Sequence, residues 1–336
     1  MDANQFMKEL LSKKVLVLLS ITVLLGISKN TWAQDPNFSQ FYGNPLYLNP
    51  AMAGTNFCPR VVMNYRNQWP GLDGTVYATY AASYDEHIDE VHGGIGVSAY
   101  RDVAGLGSLT TTQVSAMYSY LLDVTPEFHV KFGLQATWFQ KGIDWSALTF
   151  GDMIDRRKGF VYETQETKKI DQKQGWDFST GLFAWYQQKY YGGVAVHHLT
   201  QPDEGLLAES KLPIKFTVHA GAVFDIGSGS DKRYAAGRTS LSPNILYKSQ
   251  QDFRELNIGL YLKTRNFVAG LWHRNRDAFI VLIGVQQPMF NIGYSYDVTV
   301  SGLTNATAGA HELSFAVKFK CRNRKATYDL THCPQF

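Results

Sequence analysis

From Arg60 to Lys320, apolar and polar residues alternate with a period of two, in short runs separated by turn-rich stretches. In 127–140, Val130, Phe132, Leu134, Ala136 and Trp138 share one face, and His129, Lys131, Gly133, Gln135 and Thr137 share the other. In 254–264, Leu256, Ile258, Leu260 and Leu262 oppose Asn257, Gly259, Tyr261 and Lys263. Phe290, Ile292, Tyr294 and Tyr296 oppose Asn291, Gly293, Ser295 and Asp297. Leu313, Phe315, Val317 and Phe319 oppose Glu312, Ser314, Ala316 and Lys318. A strand puts successive side chains on opposite sides, so one face suits lipid and the other a polar lumen.

Fourteen such runs are predicted: 59–68, 75–85, 93–101, 109–122, 127–140, 175–188, 189–199, 214–227, 239–249, 254–264, 266–274, 277–286, 289–297 and 309–320. Most have the ~9–14 residues that cross a bilayer on a tilt, and the even count fits a bacterial single-chain barrel. The predicted fold is all-β: a 14-stranded antiparallel transmembrane β-barrel. The run 277–286 breaks the pattern. Phe279 to Val285 is apolar on both faces, which calls for a packing partner inside the lumen. A barrel this wide needs a plug or leaves a channel.

Connection lengths supply a second test. With the first strand starting at the periplasmic rim, the two longest connections, 141–174 and 200–213, face outside. The inward set includes tight turns at Gln188-Lys189, Arg265 and Gln287-Pro288. Short periplasmic turns with long external loops are the expected asymmetry; 228–238 is a longer inward loop. No repeat of 40–50 residues supports a propeller. Strands with aromatics at their ends, such as Tyr118, Trp138, Trp185 and Tyr190, suit membrane girdles better than a β-sandwich.

Residues 34–57 have no clean period and are rich in Asn, Pro and aromatics. They are the expected N-terminal luminal or periplasmic plug. Phe38, Phe41, Tyr42, Leu46 and Leu48 would be apolar filler. Asn44, Asn49 and Asn64 with Arg66 would satisfy buried backbone, and Trp69 is counted with this lumen set. Residues 1–33 read as a cleaved signal peptide: Lys8, Lys13 and Lys14, then the apolar Val15 to Ile27, then Thr31-Trp32-Ala33. Thirteen apolar residues fall short of the ~20 a helical span needs. The domain order is thus 1–33 signal peptide, 34–57 plug, 58–320 barrel and 321–336 periplasmic tail.

Composition refines this little. Charged residues are 18% and aromatics 14%. Of 32 basic and 29 acidic residues, the signal peptide carries four and two, leaving 28 and 27. That balance argues against nucleic acid as a partner. The three cysteines are Cys58, Cys321 and Cys333. If strand 14 closes on strand 1, Cys58 and Cys321 share the periplasmic rim and Cys333 can reach it. Cys58 is therefore expected to bond one of the two tail cysteines.

Catalytic patterns are wanting. There is no H-E-x-x-H, C-x-x-C or G-x-S-x-G. Gly93-Gly94-Ile95-Gly96 opens a strand, not the helix an anion site requires. His197-His198 are neighbours on a strand, so they should face opposite sides. No enzyme, cofactor or metal site is expected. The remaining polar signals are lumen charges (Arg66, Lys131, Lys263, Asp297, Glu312, Lys318) and the charged loop 141–174. The loop carries Asp152, Asp155, Arg156, Arg157, Lys158, Lys168 and Lys169, a candidate partner surface.

The segments DPNFSQFYGNPLYLNPAMAG and CPRVVMNYRNQWPGL, the last strand AHELSFAVKFKC and the terminal CPQF resemble the PorP/SprF family of the type IX secretion system of Bacteroidota. The resemblance implies an outer-membrane barrel without enzymatic activity that docks or anchors a secreted protein, such as an adhesin with a C-terminal sorting domain. It also implies partners among periplasmic ring or gliding components, besides outer-membrane lipid. The alternative is a channel for an apolar solute in the manner of fatty-acid transporters, supported by Ile280 and Leu282. A soluble extracellular β protein is a third reading.

Overall fold

The computed structural model describes residues 35–321 except 57, 73, 106–107, 156, 166–169, 207, 227–238, 276 and 301–307. The signal peptide, Arg156, Lys168, Lys169, loop 228–238, Cys333 and the tail beyond Cys321 lie outside the described residues.

The described chain forms one closed antiparallel sheet. Its strands are β1 (Arg60–Gln68), β2 (Ala78–Ile88), β3 (Gly93–Ala104), β4 (Leu109–Asp123), β5 (Phe128–Ile143), β6 (Gln172–Tyr186) and β7 (Tyr190–His197). They continue as β8 (Lys215–Ala222, prolonged by Phe224–Asp225), β9 (Thr239–Gln250), β10 (Phe253–Thr264), β11 (Phe267–Arg274), β12 (Ala278–Gln286), β13 (Phe290–Thr299) and β14 (Ala310–Lys318). Each pairs with the next. β1 closes on β14 with Arg60 opposite Lys318 and Gln68 opposite Ala310. The fourteen strands stand one for one on the fourteen alternating runs, with ends shifted by up to three residues.

Alternation becomes burial. Along β14, Glu312 and Ser314 are buried in the lumen while Leu313 is exposed on the outside. Leu260, Leu271, Ile283 and Ile292 likewise face outward. No helix among the described residues is long and apolar enough to span a membrane; the strands do the spanning. β4, β5 and β6, of 15, 16 and 15 residues, stand taller than their neighbours.

The connections 144–171 and 198–214 open from one rim. The other rim carries tight turns at Arg265 and Gln187-Gln188, where positive φ of 50°, 51° and 56° reverses the chain. The first is the outer rim and the second the inner rim.

The leader from Asp35 to Asn56 lies within the barrel. It contains a 3₁₀ turn at Phe41–Gly43, a short helix α1 (Pro45–Leu48) and a second 3₁₀ turn at Pro50–Met52. Pro45 and Pro50 stand at first helical positions, where their missing N–H costs nothing. Asn49 caps the second turn, accepting from Ala51 N at 2.9 Å.

Phe41, Tyr42 and Leu48 pack with Tyr261, Trp272, Ile280 and Leu282 in one buried cluster. The ring centroids of Phe41 and Trp272 are 4.9 Å apart. This cluster is why β12 is apolar on both faces: its inward Ile280 and Leu282 are 0% exposed against the leader side of the lumen.

Candidate functional site

The leader crosses the lumen from end to end. Its amino end is at the outer rim. The Asp35 carboxylate contacts His198 Nε2 and Lys215 Nζ, each at 2.8 Å, and both residues flank the outer connection between β7 and β8. Two residues further on, Asn37 Nδ2 donates to Glu255 at 2.6 Å, and Lys248 donates to Asn37 at 2.5 Å.

Ser39 follows as the hub of a buried ion network. Its N–H donates to Glu312 at 2.6 Å and its hydroxyl to Asp297 at 2.6 Å, while Arg66 and Arg274 donate to that same hydroxyl at 2.7 and 3.0 Å. Arg66 bridges Asp297 and Glu312 at 2.9 and 3.3 Å; Arg274 reaches Asp297 at 3.1 Å and Glu255 at 3.5 Å. With Lys248 against Glu255, three buried cations face three buried anions. A charge withdrawn from water is tolerable only when so compensated.

Further down, Asn49 Nδ2 donates to Leu182 O at 3.0 Å. Ala51 passes against β5: a Cβ on Gly133 would lie 2.2 Å from Ala51 N. At the inner rim, Lys131 and Ser119 donate to Ala53 O at 2.5 and 2.7 Å. Gly54 N donates to Asp85, which Arg60 holds in a two-toothed pair at 2.9 Å. A disulfide then joins Cys58 to Cys321 across the β1–β14 seam.

The leader and the last strand carry the segments that resemble a known family, and the match runs through the whole barrel between them. Residues 30–317 match the family described as type IX secretion system membrane protein PorP/SprF. The chain belongs to the PorP/SprF family. No curated protein matches it. Solved structures similar to this PorP/SprF barrel include the Ralstonia pickettii toluene transporter TbuX, with 12% identity, 82% of this chain and 93% of that one covered, and a TM-score of 0.48. Others are Acinetobacter baumannii outer membrane protein Omp33 (10%, 78% and 99%, TM-score 0.44) and a Pseudomonas aeruginosa FadL homologue (12%, 81% and 93%, TM-score 0.42).

The predicted lumen residues fall out unevenly in this PorP/SprF chain. Arg66 is in the ion network, and Asn49 both caps the leader and reaches β6. Asn64 Nδ2 donates to Gly43 O at 3.4 Å, and Asn44 is buried at the start of α1. Trp69 is a correction. It sits beyond β1 at the outer rim, where φ of 58° turns the chain, and its ring packs on Tyr77 at 5.3 Å rather than in the lumen.

Of its two expected placements the leader takes the luminal one, and only its carboxyl end reaches the inner rim. The His197-His198 expectation fails for the reason that displaces Trp69. β7 ends at His197, and φ of 62° at His198 turns the second ring inward, so both are buried. Among the described residues no group of three or more His, Cys, Asp and Glu is arranged to hold a metal ion.

At the outer rim, the connection 144–171 carries a small hairpin of Ile154–Asp155 with Gly159–Phe160. Asp152 accepts from Gln165 N at 2.7 Å and from the Thr164 hydroxyl. Asp155 accepts from Arg157 N, Lys158 N and the Tyr162 hydroxyl at 2.8, 2.9 and 3.0 Å. These bonds, led by the Gln165 and Arg157 N–H groups respectively, hold both carboxyls below their ordinary range. The two acids thus shape the loop, while the Arg157 and Lys158 side chains are exposed beside Phe160, Val161 and Tyr162, themselves 61%, 50% and 56% exposed.

The connection 198–214 behaves differently. Leu206, Leu212 and Glu204 are buried, and ion pairs from Lys141 to Glu204 (2.9 Å) and from Lys173 to Asp203 tie it to β5 and β6. It is a lid against the tall wall rather than a free loop.

Burial works to raise the Asp35 carboxyl, but the His198 and Lys215 charges outweigh it and hold it well below the usual carboxylate range. Burial works against the His198 charge as well; Asp35 and Asp177 overcome it and raise the imidazole to about 9. Sequence reasoning missed Asp35, His198 and Lys215 as a group. The one available signal was an acid at the start of an otherwise neutral leader.

Proposed function

We propose that this PorP/SprF barrel is a docking platform that holds a type IX secreted protein, such as an adhesin with a C-terminal sorting domain, at the cell surface. The observation that carries the reading is the stitched leader. A lumen filled by Phe41, Tyr42, Leu46 and Leu48 and crossed by a charge-balanced network is built to stay in place. The work of the protein then falls to its rims.

The outer rim offers the hairpin connection 144–171, whose exposed Ile154, Phe160, Val161 and Tyr162 lie beyond the spanning strands. Apolar surface exposed to water in this way suits a partner's β-rich face. Arg157 and Lys158, with Arg156, Lys168 and Lys169, would add charge complementarity. The inner rim, with the disulfide and the tail, is the side open to periplasmic ring or gliding components.

Removal of residues 1–33 fits the same reading. A leader whose amino end lies at the outer rim cannot also be held by an uncleaved segment in the inner membrane. The solute-channel alternative loses its best support, because Ile280 and Leu282 are sealed against Trp272 and Tyr261 instead of lining a path.

Pull-down of the secreted partner with the wild-type barrel, compared with a barrel lacking 145–170, tests the docking claim. Loss of partner with the shortened loop is expected; equal recovery would sink it.

A further inference from the structure

The group at the outer mouth has more in it than a structural tie. His198 and Lys215 are the residues that begin and end the 199–214 lid, and both point their nitrogens at one oxygen of Asp35, each at 2.8 Å. Behind them His198 Nδ1 is held by Asp177 at 2.8 Å, which also accepts from Thr200 at 2.8 Å. Lys215 Nζ lies 4.8 Å from the centre of the Tyr47 ring. Two oriented cations, each braced from behind, converge on a carboxylate; this is how proteins bind carboxylates generally.

The occupant is the outermost described residue of the leader. Besides these two contacts, Asp35 has one long bond, from its N–H to Gln250 at 3.4 Å. Ser39 is held by four partners, and the far end is covalently closed at Cys58. The leader is therefore held by ion pairs at the outer mouth and closed covalently at the inner rim. A chamber of about 30 Å³ adjoins Asp35, lined by Ser115, Gln135, Thr137 and Ser179 together with Leu46 and Met117; it has room for about one water. The lid above hangs on two lysine–carboxylate pairs: Lys173–Asp203 is partly open to water, at 28% and 32% exposed, and Lys141–Glu204 is more deeply set.

We propose that His198 and Lys215 form a carboxylate-binding site which the leader occupies through its own Asp35, and that a carboxylate of a docked partner takes its place. The incoming group is a chain-terminal carboxylate or an acidic side chain. Because the two cations are also the hinges of the lid, exchange of carboxylates is coupled to lid position. The inference rests on the docking reading for its physiological ligand, but the site itself is testable without any partner.

The experiment uses the full chain in detergent micelles and three probes labelled at the N-terminus with an uncharged, carboxylate-free BODIPY dye, read by anisotropy. The probes are Gly-Ser-Gly-Ser-Gly with a free C-terminus, the same peptide as its amide, and the amide with Glu in place of the central Gly. Asp35→Ala should bind the free-acid or the Glu probe at least ten-fold tighter than wild type and leave the plain amide unbound. Which of the two probes is captured distinguishes the sources of carboxylate.

Adding Lys215→Met to Asp35→Ala should abolish the gain. Equal affinity of wild type and Asp35→Ala, or equal binding of the plain amide, would overturn the proposal. Heat-dependent gel mobility checks that each barrel is closed. If Asp35→Ala does not close, Asp35→Asn replaces it with the same two outcomes. Failure of the loop-deletion pull-down leaves this result standing, and failure here leaves the pull-down standing.

Discussion

The backbone of Ala51 runs against Gly133 so closely that an added Cβ would sit 2.2 Å from Ala51 N. The leader and β5 meet main chain to main chain, so neither can yield by rotating a side chain. Replacing Gly133 with Ala is expected to destabilise the plugged barrel by about 1–3 kcal/mol, the range for overpacking a filled interior. Thermal midpoints in detergent, followed by gel mobility, would show it. An unchanged midpoint would mean that the leader is not seated on β5.

The Ser39 network makes a stronger demand. Arg274→Met leaves Asp297 and Glu255 buried with one cation fewer, a change that typically costs about 3–5 kcal/mol. Arg254→Met is the control, since Arg254 is exposed on the same strand series. The Arg274 variant should melt well below the control by circular dichroism. Equal melting would remove the network from the account of what holds the leader.

Cys58 and Cys321 are 263 residues apart, so their bond closes nearly the whole barrel. In the chain-entropy view long closures stabilise most, with measured values typically about 2–4 kcal/mol. Cys58→Ser should lower the urea midpoint of unfolding, and non-reducing digestion should lose the linked peptide. A linked Cys58–Cys333 peptide in the wild type would contradict the pairing.

Alkaline pH should loosen the outer end of the leader first. The raised value of His198, about 9, means that its stabilisation is complete below the ordinary imidazole value of roughly 6.5 and fades as pH rises through 9. Asp35 is depressed, so its contribution fades only as pH falls through its lowered value. Between pH 7 and 9.5 the thermal midpoint of wild type should drop more steeply than that of His198→Gln. Parallel curves would refute the assignment.

Strand count, strand order and the seam were legible because lipid imposes a face on every strand: Leu313, Ile292 and Leu260 announce the outside wherever they stand. The leader's contacts were not legible. Its segment has no period, and the pairs it makes, such as Asp35 with His198 or Ser39 with Glu312, join residues 163 and 273 apart in sequence. Arg66, Asp297 and Glu312 could be assigned to the lumen by parity, but not to Ser39. Trp69 and His198 were misplaced for one reason. A single left-handed residue ends the strand and cancels the alternation that parity relies on. The fold of the 198–214 lid was not legible, because length alone does not distinguish a free loop from one that folds back onto the wall.

The leader descends through the lumen and β1 climbs back beside it, with the Cys58–Cys321 bond at the bend. Force applied at the two mouths therefore meets different resistance. Traction on the leader from the cell surface would load its attachments singly, first Asp35, then Asn37, then Ser39, as a zip opens tooth by tooth. Traction from the periplasm would load the covalent seam at once and leave those attachments untouched. A machine that removed this plug would have to pull from outside the cell.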